Sequence, residues 1–188
     1  MKKKVEANLI KRIEECNWHL STGFVGTRDL MHVLSKIGRS DVAYRLLFND
    51  TFPSWLFPVK NGARSIWERW NSWTPEHGFG DVGMNSFSHY AYGAVYQWIC
   101  ENVAGIKSVK PGFSEIVIKP YITEKLNWAE TSYNSIHGKI IVNWKRDGKK
   151  VQLEVTVPPN VKAKIYVPGK KQPVSVGSGT YKYQGTNT

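Results

Sequence analysis

Near Lys107 the spacing of apolar residues changes from a period of three to four to a period of two. A helix buries a stripe and a strand buries alternate residues, so no single layer of structure satisfies both patterns. From Val5 to about Gly105 the helical period holds. Its clearest run is opened by Thr27, read as the N-cap, with Leu30, Val33, Leu34 and Ile37 on one face and Gly38 as the stop. Ser40 is expected to cap a second helix with Ala43, Leu46 and Leu47 inward. Phe87, Tyr90, Ala91, Ala94, Val95, Trp98 and Ile99 predict a long third one ended by Gly105. With Val5 to Trp18 this makes about four helices. Beyond Lys107 the alternating sets are Ile116/Ile118, Ile140/Val142/Trp144, Val151/Leu153/Val155/Val157 and Ile165/Val167. Arg146-Asp147-Gly148-Lys149 between two of them predicts a tight hairpin. The second half therefore reads as a small antiparallel β-sandwich entered near Lys107 to Gly112, with residues 177–188 expected to fray. The expected domains are residues 1–106 and 107–188.

Composition narrows the function classes. The chain has 188 residues, 41% of them apolar, enough for a buried core. Polar residues interrupt the apolar character of the N-terminus, so no export signal is read; the chain as it stands reads as cytoplasmic, and the original compartment is left open. The richest apolar stretch, Tyr90 to Cys100, is too short to span a bilayer, so no membrane association is expected. Cys16 and Cys100 have no metal-like spacing and read as two free buried thiols; His19, His32, His77 and His137 add no ligand set or hydrolase triad, so no metal or cofactor is expected. The net charge of +11 raises nucleic acid as a partner. Many lysines (Lys139, Lys145, Lys149, Lys150, Lys162, Lys164, Lys182) lie in the strand-patterned half, where solvated faces and protected edges account for them, and without a helix-turn-helix or RNA-binding signature no nucleic-acid partner is expected.

The chemistry-bearing segment runs from Thr51 to Tyr92. Trp55, Trp67, Trp70 and Trp73 alternate there with Pro53, Pro58, Gly62, Pro75, Gly78, Gly80 and Gly83, which places aromatic rings on loops. Sugars present apolar C–H faces and polar edges, so flat rings beside carboxylates and amides favour a saccharide site over a nucleotide one. Glu68 lies in Ile66-Trp67-Glu68-Arg69-Trp70. It reads either as half of an ordinary ion pair with Arg69 at a helix start or as a catalytic carboxylate between two indoles. His89, in Met84-Asn85-Ser86-Phe87-Ser88-His89-Tyr90, reads either as a helix cap or as a ligand-binding imidazole.

These blocks resemble the α-L-rhamnosidases of glycoside hydrolase family 78. The similarity runs from His19-Leu20-Ser21-Thr22-Gly23-Phe24-Val25-Gly26-Thr27 through Ala43-Tyr44-Arg45-Leu46-Leu47, Pro53-Ser54-Trp55, Ile66 to Trp70, Met84 to Phe87 and His89-Tyr90-Ala91. It then enters the tail at Tyr133-Asn134-Ser135, Gly138 and Val176 to Thr180. The resemblance implies an α+β multidomain fragment: a partial (α/α)6 helical barrel followed by a small antiparallel β-sandwich. It implies an inverting hydrolysis with a general acid and a general base, Glu68 being the base and His89 binding rhamnose hydroxyls. Trp67, Trp70 and Asn85 are implied to shape or support the pocket.

Two departures stand out. Arg64-Ser65 occupies the place of two threonines common before Ile-Trp-Glu, and Ser88 that of an asparagine before the histidine. More consequentially, nothing before His19 matches the family's upstream acidic motif, which carries the general acid, and the resemblance assigns that role to neither Glu76 nor Asp81. Inversion needs two carboxyl groups roughly 6.5–9.5 Å apart. The expectation is therefore a fragment inactive alone, with a rhamnose-containing glycoside or polysaccharide as substrate and the missing upstream barrel segment as partner. The alternative is that the β-sandwich and the aromatic loops serve as a carbohydrate-binding module without chemistry.

Overall fold

The computed structural model describes residues 2–187. The chain divides into two compact units, residues 1–96 and 97–188.

In the first unit, α1 (Lys2–Glu15) ends where Asn17 and Trp18 take left-handed backbone, and the Arg45 guanidinium lies 3.9 Å from the centre of the Trp18 ring. Helix α2 (Phe24–Lys36) starts three residues before the expected Thr27. Thr27 is an interior, buried residue, its hydroxyl 2.9 Å from the Gly23 carbonyl and 2.7 Å from the Thr22 hydroxyl; it ties the first turn from inside rather than capping it. Met31 and Leu34 carry the buried stripe while Val33 is exposed. Gly38 (φ 80°) ends the helix as expected, with the Arg39 N–H returning to the Leu34 carbonyl at 2.8 Å. Helix α3 (Ser40–Leu47) buries Val42, Ala43, Tyr44 and Leu46. Ser40 is not its cap: the N-cap is Arg39, and the Ser40 hydroxyl donates to Ser35 Oγ. The aromatic loop region contains the short helix α4 (Leu56–Lys60), with Ser54 Oγ accepting the Phe57 N–H, and a minimal hairpin, β1 (Trp73–Thr74) and β2 (Gly78–Phe79).

The long helix expected from Phe87 begins only at Ala91. It is a 3₁₀ turn (Ala91–Ala94), then α5 (Val95–Trp98), then a π turn (Ile99–Val103). The segment from Ser86 to His89 is withheld from it because its backbone groups are used elsewhere: the Ser86 carbonyl accepts the Glu68 N–H, the Phe87 carbonyl accepts the Ser65 hydroxyl, and the His89 N–H donates to the Ile66 carbonyl. Gly105 (φ 82°) stops the helical run. A Cβ there would lie 2.2 Å from the Pro120 nitrogen, so only glycine fits.

The second unit is two four-stranded sheets. One has the order β10-β7-β6-β5, built from β5 (Trp128–Ser135), β6 (Gly138–Asp147), β7 (Lys150–Val157) and β10 (Gly179–Thr186), all antiparallel. The other has the order β3-β4-β8-β9, from β3 (Ile106–Ser108), β4 (Glu115–Ile118), β8 (Lys162–Ile165) and β9 (Val174–Val176). The sandwich stands as expected, with one refinement: β4 and β8 pair in parallel, a long-range choice that period-two patterning does not encode. Ile116, Ile118, Ile140, Val142, Trp144, Val151, Leu153, Val155, Ala163 and Ile165 are all buried, each exposing at most 2% of its surface. A buried aliphatic side chain of this kind contributes about 1.5–3 kcal/mol relative to exposure. The Trp144 indole N–H is satisfied by the Val103 carbonyl at 2.8 Å. At the β6–β7 hairpin Asp147 pairs with Lys150, so the turn's central pair is Gly148-Lys149, with φ 56° at Gly148, the first-position glycine of a type II′ turn rather than an Asp-Gly centre. The expected fraying at the end is absent through Thr186: β10 pairs with β7 along all eight of its residues.

Candidate active site

Glu68 and His89 lie on two chain segments tied side by side. Glu68 N–H donates to the Ser86 carbonyl at 2.9 Å, His89 N–H to the Ile66 carbonyl at 2.8 Å, and the Ser65 hydroxyl to the Phe87 carbonyl. The tie is reciprocal at the carboxylate, since the Ser86 N–H donates to Glu68 Oε2 at 2.8 Å. Neither segment is helical, and among the described residues Glu68 forms no ion pair with Arg69, so the ordinary ion-pair reading does not describe this carboxylate. Among the described residues Glu68 Oε1 makes no hydrogen bond.

The His89 ring sits between Phe24 (centroids 5.2 Å apart) and Tyr90, stacked at 5.7 Å with 2° between planes. Its Nδ1 accepts the Ala91 N–H at 3.4 Å, at the first residue of a 3₁₀ turn whose N-cap position is Tyr90, while Nε2 makes no hydrogen bond among the described residues.

Trp67 and Trp70 belong to an aromatic cluster. Trp67 is buried and meets Phe87 edge-on; Trp70 stacks on Tyr92 at 3.7 Å, meets Trp55 edge-on at 5.6 Å and donates its indole N–H to the Thr22 carbonyl at 2.9 Å. The Trp55 indole donates to the Tyr92 carbonyl. Burial pushes the Tyr92 phenol above its usual range. Asn85 donates through Nδ2 to the Ser72 carbonyl, which also accepts the Gly80 N–H, so Asn85 pins the loop from residues 72 to 85; its buried Oδ1 has no partner. A cavity of about 40 Å³ lies against Trp55, Pro58, Trp67, Arg69, Trp70 and Tyr92, far below the roughly 300 Å³ at which ligand pockets begin.

Sequence reasoning did not single out Tyr92, Ser72 or the amide of Ser86. The last acts through its backbone and leaves no side-chain signal; Ser72 is buried and accepts the Asn85 and Gly80 donors on its carbonyl and the Arg69 N–H on its hydroxyl at 3.1 Å. Among the described residues no group of His, Cys, Asp and Glu is arranged to hold a metal, and no helix is long and apolar enough to cross a membrane. Cys16 and Cys100 are not joined in a disulfide, and both are half-buried rather than buried.

A partial helical barrel with a carboxylate on its aromatic loops, joined in sequence to a β-sandwich, is the arrangement of the six-hairpin glycosidase families. Residues 1–103 match the family described as bacterial alpha-L-rhamnosidase 6 hairpin glycosidase domain, and residues 105–182 match the bacterial alpha-L-rhamnosidase C-terminal domain. The chain belongs to the bacterial α-L-rhamnosidase family. It is 42% identical over 168 residues to an alpha-L-rhamnosidase of Streptomyces avermitilis, covering 89% of this chain and 16% of that protein. It is 43% identical over 163 residues to one from Alteromonas sp. (strain LOR), covering 87% and 18%. Among solved structures it resembles the Streptomyces avermitilis α-L-rhamnosidase complexed with L-rhamnose (TM-score 0.88, 37% identity, 93% of this chain and 19% of that one). It equally resembles the native enzyme of Aspergillus terreus (TM-score 0.88, 36% identity, 93% and 20%). The chain thus spans less than a fifth of the length of the curated relatives cited.

Proposed function

We propose that this chain supplies the general base and one wall of the sugar site of an inverting α-L-rhamnosidase, and that it does not turn over substrate by itself. The observation that carries the reading is the cross-tied pair of segments. They hold the Glu68 carboxylate by one oxygen on a backbone amide and leave the other free to take a proton from water, and the same ties anchor His89, whose Nε2 is unengaged. With Nδ1 accepting from Ala91, the neutral ring carries its proton on Nε2 and donates to a hydroxyl of the bound sugar. Trp67, Trp70 and Asn85 act behind this pair: the indoles pack the loops that bear it, and Asn85 fixes the neighbouring loop.

The second carboxyl group that inversion requires, the acid that protonates the leaving oxygen, comes from chain outside these residues, as does most of the pocket wall. We place the functional division at residues 1–106, the barrel part, and 107–188, the sandwich. The substrate class is a glycoside or polysaccharide ending in α-L-rhamnose.

The test mixes the full chain with a separately expressed upstream barrel segment of a relative and follows release of p-nitrophenol from its α-L-rhamnoside. Hydrolysis is expected only in the mixture, with the β anomer of rhamnose appearing first by NMR. Glu68→Gln is expected to lower it by about 10²–10⁴-fold. Release by the chain alone, or an unimpaired Glu68→Gln mixture, rules the reading out.

A further inference from the structure

The outer face of the β10-β7-β6-β5 sheet has no part in the site above, and its register places an unusual set of side chains in line. Trp128, Lys145, Gln152 and Gln184 form one cross-strand row; Glu130, Asn143, Glu154 and Lys182 form the next. These residues line an open depression of about 550 Å³, within the size range of ligand sites. Trp128, at the first position of β5, leaves 61% of its surface exposed. Single exposed apolar residues are common, but an indole at the rim of a polar, concave sheet face is a different arrangement.

We propose that this face is a second saccharide-binding site, separate from Glu68, which takes a neutral oligosaccharide with one ring against the Trp128 indole. Charge selects the ligand: Glu130 and Glu154 offset Lys145 and Lys182, the Lys182 ammonium lying 3.5 Å from the Glu154 carboxylate, and the remaining groups of the two rows are amides. Such a surface offers donors and acceptors in alternation with no net attraction for an anion, which suits hydroxyl groups and not phosphates or uronates. The outer face of the other sheet is the internal contrast, with Lys162 and Lys164 beside Glu115 and no indole. Four strands span about 14 Å across the first face, room for a short oligosaccharide. The preformed sheet fixes the spacing of the two rows before binding, so no backbone ordering is required.

The full chain would be run in native gels containing a neutral rhamnan, galactomannan or arabinogalactan, with polygalacturonate as the anionic control. Retardation by at least one neutral polysaccharide is expected. Trp128→Ala should weaken it about tenfold, the value of one aromatic contact, and Gln152→Ala combined with Gln184→Ala should weaken it as well. Trp128→Phe should recover part of the loss, and circular dichroism should show every variant folded. Glu68→Gln and His89→Ala should be retarded like the wild type, which separates this site from the proposed catalytic one. Three results would each overturn it: no neutral polysaccharide retards the chain, Trp128→Ala is retarded as strongly as the wild type, or only polygalacturonate retards it.

Discussion

The two units bury their apolar residues to very different degrees. Among the described residues seventeen large hydrophobic side chains are exposed, and twelve of them, including Val25, Val59, Phe79, Val82 and Tyr90, belong to residues 1–96. In the second unit the inward rows of β6 and β7 are almost entirely withdrawn from water. A sandwich completes its core with its own two sheets, whereas a few helices of a barrel complete theirs only against neighbouring helices. The catalytic candidates lie on loops of the unit with more exposed apolar side chains, where binding residues concentrate, and the proposed saccharide face lies on a sheet of the other.

The comparison is broken most directly by matched core truncations. Trp144→Ala removes a ring 2% exposed and orphans the Val103 carbonyl, and is expected to cost about 3–5 kcal/mol. Leu34→Ala, at a fully buried position of α2, is expected at the low end of its class, about 2 kcal/mol, because a less completely packed surround relaxes into the space. Native-state hydrogen exchange, read separately on β6–β7 and on α2–α3, measures both; equal costs would show that the helical unit is packed as tightly as the sandwich.

A smaller effect sharpens the same contrast. Phe79→Ser together with Val82→Ser should alter stability by less than about 0.5 kcal/mol, since both side chains are exposed, while visibly reducing binding of a hydrophobic dye. Unchanged dye binding would place the accessible apolar surface elsewhere.

The smallest effect is on pH. The hydrogen bond from Arg39, followed by its charge, holds the Asp41 carboxyl below the usual aspartate range, and Lys60 does the same for Asp50; in the second unit Lys110 lowers Glu115. A carboxyl lowered in the folded state contributes stability that is fully present above its unfolded value. That contribution is lost as pH falls from about 4 through the lowered value. All three pairs are largely exposed, so solvent screening keeps the loss slight. Thermal midpoints between pH 7 and pH 2.5 should fall more gently in Asp41→Asn than in the wild type; identical curves would assign Asp41 no role.

Much of this architecture was legible before any coordinates. The change of period near Lys107 separated helices from strands, Gly38 and Gly105 marked two helix ends, and the blocks around Glu68 and His89 carried the family. These signals are local, each set by one residue's backbone freedom or by a repeat along a single element. The misplacements at Thr27, Ser40 and Phe87 share one cause: each residue's hydrogen-bonding groups found partners other than the cap or helix that neighbouring residues suggested. For Phe87 those partners lay more than twenty positions away in sequence.

Sequence by itself determined the two classes of secondary structure, the family, and the residue types available for chemistry, because periodicity and motif order survive without knowledge of contacts. Only the tertiary structure decided that Ser86 holds Glu68, that β4 runs parallel to β8, and that Trp128 stands in line with Lys145, Gln152 and Gln184. Each of these is a pairing between distant segments, fixed by which backbone groups and buried faces can satisfy one another at the same time, and a linear sequence does not display that choice.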